Sequence, residues 1–158
     1  MTQRSVVHGT FTLERIYPAS PERVFSAWAD QKSKARWFAI VERWEILEYR
    51  LDFQVGGREI WRGGPQGETV HRNETIFRDI VPNRRIIYAY DMFVGDTRHS
   101  VSLATVLFEP HAEGTRLTFT EQGAYLDGVS DGPEGRLHGW GVLLDSLTTE
   151  VAGGLASG

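Results

Sequence analysis

The 158-residue chain contains no cysteine, and its only lysines are Lys32 and Lys34. Lack of cysteine excludes disulfides, thiolate metal sites and thiol nucleophiles, and it suits a reducing, cytoplasmic setting. No apolar run approaches the roughly 20 residues that span a bilayer, and the first residues, MTQRSVVHGTF, have no signal-peptide core; neither membrane insertion nor export is expected. An excess of positive charge is lacking too. The formal net charge is −4, and the arginines are scattered rather than blocked, which gives no footprint for a nucleic acid.

Several catalytic signatures are also missing. There is no Gly-x-Ser-x-Gly elbow for a serine nucleophile. His8, His71, His99, His111 and His138 fall into no metal-ligand spacing. Gly56-Gly57 and Gly63-Gly64 lie between strands rather than ahead of a helix, unlike phosphate-binding loops. No metal and no nucleotide cofactor is therefore expected, and any chemistry falls to carboxylates, tyrosines and histidine.

What the chain has in plenty is aromatic side chains: 5 Trp, 5 Tyr and 8 Phe. Residues 6 to 17 are rich in β-branched and aromatic types and alternate in polarity, which predicts a first strand. Ser20-Pro21-Glu22 supplies a capping hydroxyl, a proline for the first helical position and an acid in the first turn, so a helix is predicted over 21 to 29. A second short helix follows Asp30, from 31 to 37. From Trp44 to Gln122 the period becomes two, with strands expected at 44 to 54, 58 to 63, 69 to 81, 84 to 92, 99 to 109 and 115 to 123. Gly56-Gly57 and Pro82-Asn83 mark tight turns between them. Residues 124 to 136 carry glycines, a proline and acids and read as a long loop. Trp140, Leu143, Leu144, Leu147 and Val151 then form one apolar stripe on a C-terminal helix. Residues 1 to 152 thus form a single domain, and 153 to 158 are expected to be a flexible tail.

Such a sheet has to bury one face, and the last helix is the only element long enough to cover it. Seven segments in order and spacing carry a resemblance over nearly the whole chain: Pro18 to Phe25 (PASPERVF), Ala35 to Phe38 (ARWF), Phe53 to Arg58 (FQVGGR), Ile80 to Tyr88 (IVPNRRIIY), Phe108 to Pro110 (FEP), Gly114 to Glu121 (GTRLTFTE) and Gly139-Trp140. Together they resemble the SRPBCC superfamily, the START-domain and pollen-allergen-like group with the helix-grip fold, and within it the branch of activator of heat-shock-protein-90 ATPase homologues. The resemblance implies an α+β helix-grip fold: a seven-stranded curved antiparallel sheet wrapped around a long C-terminal helix, with two short helices between strands 1 and 2. It further implies a cavity between sheet and helix that takes lipid-like or polyketide-like molecules and in some members serves as a cyclase, dehydratase or lyase site. The branch's co-chaperone, which carries a separate N-terminal module that this chain has no room for, implies a third role as a protein-interaction module.

Alternation within the strands assigns the residues of that cavity. Tyr88 and Tyr90 share a face with Ile86 and Met92; Phe119 and Glu121 share one with Leu117; Ser102 and Phe108 lie on one face of the next strand. Glu59 and Trp61 are placed inward because the alternative buries Arg58 and Arg62. Phe77, with Asn73 and Thr75, is placed inward on a strand whose pattern suggests a bulge. Trp140 and Leu144 complete the set from the helix. The expectation is a small apolar or amphipathic ligand held by aromatic walls and oriented by Glu, Tyr and Ser groups, in a monomer or a homodimer. Two alternatives stay open: a filled core in which Glu121 pairs with an arginine, and an enzyme in which Glu121 or Glu59 acts as general acid or base beside Tyr88 or Tyr90.

Overall fold

A computed structural model describes residues 4–156. Strand β1 (Val6–Tyr17) leads through Ser20 into helix α1 (Pro21–Ala29). The Ser20 hydroxyl accepts the Arg23 N–H at 3.2 Å, and α1 buries Val24, Phe25, Ala27 and Trp28. Asp30 ends α1 and caps α2 (Gln31–Lys34), its carboxylate accepting the Ser33 N–H at 2.9 Å. Where a single helix to Trp37 is expected, α2 instead gives way to a π-helical turn over Ala35–Ala39. This widened turn lets both Trp37 and Ala39 be buried.

The remaining strands are β2 (Trp44–Leu51), β3 (Arg58–Pro65), β4 (His71–Val81), β5 (Arg85–Val94), β6 (Thr97–His111) and β7 (Gly114–Leu126). They form one antiparallel sheet in the order β1-β7-β6-β5-β4-β3-β2. β2 ends three residues earlier than the alternation suggests, and Gly56-Gly57 belongs to a loop over 52–57 rather than a two-residue hairpin. In that loop the Gly57 N–H reaches the Gln54 carbonyl at 2.7 Å, and a Cβ on Gly57 would collide with the Asp52 carbonyl oxygen. The expected bulge in β4 is present between Phe77 and Asp79.

The segment read as a long loop is mostly ordered structure. β7 stays paired with β1 up to Leu126 opposite Val6, and α3 (Gly132–Ala156) begins with Pro133 and Glu134 in its first turn. Only 127–131 remain as a connection. The glycines that suggested a loop act as a turn (Gly128), the helix start (Gly132, φ 74°) and a residue of the first turn of α3 (Gly135). The α3 backbone continues through Ala156, into the stretch expected to be a flexible tail, whose last residues, 157–158, lie outside the described residues.

α3 lies in the concave face of the sheet. Its stripe of Trp140, Leu144, Leu147 and Val151 is buried against α1 and the inner faces of β5 to β7. Polar ties fix the depth. The Tyr17 hydroxyl donates to the Leu144 carbonyl at 2.8 Å, Arg15 reaches Asp145 at 2.8 Å, and Glu150 accepts from Arg36 and from the Ser33 hydroxyl. Among the described residues, no helix is long and apolar enough to cross a membrane.

Candidate functional site

Of the residues assigned to the interior from alternation, Met92 is only partly buried, because the register shift between Met92 and Phe93 turns Phe93 inward beyond it, and the named site residues are buried. Glu59, Phe77, Tyr88, Tyr90, Ser102, Phe108, Phe119, Glu121, Trp140 and Leu144 are nearly inaccessible, and the most exposed of the set, Trp61, shows 7% of its surface. They do not form one chamber. Phe108 packs at the α1 end against Phe25 and Trp28 with ring centroids 5.3 and 6.3 Å away, and Leu144 lies under the Tyr17 hydroxyl. Trp61 sits at the far end, beside Trp44, with its indole N–H on the Ala39 carbonyl at 2.8 Å. The polar residues gather into two clusters instead.

The first cluster joins β5, β6, β7 and α3. The Tyr90 hydroxyl donates to Glu121 and accepts from the Arg136 guanidinium at 2.9 Å and from the Trp140 indole N–H at 3.1 Å. Arg136 also reaches the Ser102 and Ser100 hydroxyls at 3.3 and 2.7 Å and the Glu121 carboxylate at 3.3 Å, and the Tyr125 hydroxyl donates to the same carboxylate at 3.3 Å. Ser100 lies two residues from Ser102 on the same inward face. Met92 faces Ser100 but Phe93 faces Arg98, so His99 is an extra residue in β6, and the bulge buries it beside Ser100. His99 has no partner for its Nδ1. Burial, with help from Arg136 and His71, pushes its pKa down to about 4, so it stays neutral at physiological pH. Burial pushes the Glu121 carboxyl above the usual carboxylate range, although Arg136 and the hydroxyls of Tyr90, Ser102 and Tyr125 pull it down.

The second cluster is built on α2. Lys34, 1% exposed, meets Glu59 with its ammonium 2.9 and 2.8 Å from the two carboxylate oxygens. The Tyr49 hydroxyl donates to the same carboxylate at 2.6 Å. Between the clusters stands Tyr88, its ring 5.8 Å from that of Tyr90 and 6.0 Å from that of Phe77, with a buried hydroxyl that has no partner. Burial raises the Tyr88 pKa well above its ordinary value, with smaller contributions in the same direction from Tyr90, Glu121 and Glu59. It is therefore a hydrogen-bond donor at any physiological pH. The indole N–H of Trp28 is likewise buried and unpartnered, in a wall formed with Trp140 and Phe119.

Arg136 and Lys34 escape sequence reasoning. Arg136 falls in the stretch read as loop, yet Gly132-Pro133-Glu134 repeats the start signals of α1, and Arg136, Trp140 and Leu144 then stand four apart on one helical face. Lys34 gives no such signal, because a lysine at a short helix end is ordinarily solvated. Two surface clefts lie elsewhere: one of about 640 Å³ along Pro65, Gly67, Glu68, Thr69 and His71, and one of about 580 Å³ along Gln31, Arg50, Asp52, Gly57, Arg58 and Ile60. Neither is lined by a residue of the expected cavity. Among the described residues, no three His, Asp or Glu side chains are grouped to hold a metal ion.

Solved structures share this fold. An uncharacterized protein from Rhizobium leguminosarum is 43% identical over 96% of this chain and 99% of its own, with a TM-score of 0.90. The Mll3558 protein from Rhizobium loti is 46% identical over 92% of this chain and 99% of its own, with a TM-score of 0.86. The AHSA1-like protein from Aeromonas hydrophila, 24% identical over 92% of this chain and 94% of its own with a TM-score of 0.69, shares the fold. No curated protein matches the sequence at a significant level. The model of the family described as Activator of Hsp90 ATPase homolog 1-like protein matches residues 18–152, so the chain belongs to that family within the helix-grip superfamily.

Proposed function

We propose that the protein binds a small hydrophobic or amphipathic molecule between the inner face of the sheet and α3. The observation that carries this reading is the buried, unpartnered Tyr88 hydroxyl between two charged clusters in an otherwise aromatic interior. A buried donor without an acceptor costs about 1–3 kcal/mol, and a polar group on a bound molecule removes that cost. The aromatic walls of Trp28, Phe119 and Trp140 supply apolar contact, while Tyr90, Glu121 and Arg136 offer both donors and acceptors to a polar end. Entry requires the first turns of α3 to swing away from β6 and β7, because Arg136 closes that end and is only 11% exposed.

Native mass spectrometry of protein purified from its own host tests the reading, combined with tryptophan fluorescence titration against medium-chain alcohols and carboxylic acids. Binding should change the emission of Trp28 and Trp140, which stack at 6.1 Å in the wall. A protein that carries no molecule and whose emission none of these compounds alters refutes it.

A further inference from the structure

The chain's two lysines stand in opposite surroundings. Lys32 is exposed on α2, whereas Lys34 is buried and faces the sheet. Four aromatic rings crowd the Lys34 ammonium, with centroids at 4.6 Å (Phe38), 5.3 Å (Trp28), 5.8 Å (Tyr88) and 5.9 Å (Phe77). Two of those four side chains, Trp28 and Tyr88, carry the buried donors that lack a partner. Burial outweighs the Glu59 carboxylate and holds the Lys34 pKa below its ordinary value, which brings the neutral, nucleophilic amine closer to physiological pH. A thin layer separates this amine from water. Phe38 and Tyr49 are only partly buried, and Phe38 stands on the π-helical turn, a distortion found often at functional sites.

We propose that Lys34 is a carbonyl-reactive amine, and that the class of molecule bound between sheet and helix includes aldehydes or ketones that condense with it as an imine. This inference rests on the binding reading above. Glu59 first takes a proton from the Lys34 ammonium, leaving a neutral amine beside a neutral carboxylic acid. The nitrogen lone pair attacks the carbonyl carbon, the C=O π pair moves to oxygen, and that oxygen takes the Tyr88 proton. The new ammonium returns a proton to the Tyr88 phenolate, giving a neutral carbinolamine. Glu59 then delivers its proton to the carbinolamine hydroxyl, which leaves as water and yields a protonated imine. One water is released and nothing is oxidised or reduced. The imine cation ends where the ammonium began, against the Glu59 carboxylate that Tyr49 holds at 2.6 Å.

The test compares hexanal with 1-hexanol at pH 7. Both are titrated against tryptophan emission, and the hexanal samples are treated with sodium cyanoborohydride and mapped by peptide mass spectrometry. The expected result is a reduced hexyl adduct on Lys34 that forms faster than the adduct on Lys32, since lowering an amine's pKa raises the neutral fraction that attacks a carbonyl. Lys32→Arg should leave the Lys34 adduct intact. Tyr88→Phe, which keeps the ring, should slow trapping while 1-hexanol still changes the emission. Adducts confined to Lys32 or the N-terminal amine, with 1-hexanol still bound, overturn the imine and leave the binding reading standing. If Lys34 stays unmodified the imine falls, and if the protein also carries no molecule from its host and neither compound changes the emission, the binding reading falls with it.

Discussion

Glu59 and Glu121 are both buried on the inner face of one sheet, and they are neutralised in different ways. Glu121 shares a planar guanidinium with three hydroxyl groups drawn from two strands, so its partners form a network rather than a single pair. Glu59 depends on one ammonium and one phenol, in a shell of rings whose two free donors, on Trp28 and Tyr88, make no hydrogen bond with it. A carboxylate in a network can lose a partner and take up a proton instead. An ion pair walled in by aromatic rings has fewer ways to adjust, because breaking it strands a charge in a medium that cannot solvate it.

The largest effect should therefore come from the Lys34 side. Glu59→Leu leaves the Lys34 ammonium uncompensated and should lower stability by about 3–5 kcal/mol, read from urea unfolding, whereas the double variant Glu59→Leu with Lys34→Met should recover most of the loss. A double variant as unstable as the single one would show that the pair acts through packing rather than charge. The Arg136 side should give less. Arg136→Met leaves Glu121 with the Tyr90 and Tyr125 hydroxyls and should cost about 1–3 kcal/mol near neutral pH. The sign with pH follows from the direction of the shift. A carboxyl whose pKa is raised on folding binds its proton more tightly in the folded state, so its contribution is fully present below the ordinary carboxylate range and is lost as pH rises through the folded value. Removing Arg136 raises that folded value further. The deficit of the variant should thus be small near pH 4 and grow toward pH 7, and a deficit independent of pH would sever Glu121 from the effect.

The same comparison explains how much was legible in the sequence. Glu59, Tyr90 and Glu121 follow from alternation, because the pleat leaves each strand residue only two directions and burying Arg58 and Arg62 is the costlier choice. Their charged partners do not follow. Arg136 was hidden by local chemistry, since Gly132 and Pro133 are as common in loops as at helix starts. Ser100 shares the inward face of Ser102 by simple alternation, whereas His99 is buried beside it only because the β6 bulge breaks that alternation. Lys34 was hidden by its type. Nothing along the chain says that α2 widens into a π-helical turn, in which Trp37 and Ala39 are buried, and that its last residue lies among four rings.

Tyr88 lies between the two carboxylates and belongs to neither, and it should give the smallest change. Its hydroxyl is desolvated on folding and gains no partner, so Tyr88→Phe removes a cost and no hydrogen bond. The ring contacts with Phe77 and Tyr90 are kept. The variant should therefore be as stable as the parent or up to about 1 kcal/mol more stable in urea unfolding, in contrast to the losses on either side of it. A loss of similar size would mean that the hydroxyl is hydrogen-bonded in solution, with water or a retained molecule as its acceptor. Repeating the measurement in saturating 1-hexanol separates these two cases. An alcohol that accepts from Tyr88 stabilises the parent more than the variant, so the stability difference should shift in favour of the parent only if the bound molecule reaches that hydroxyl.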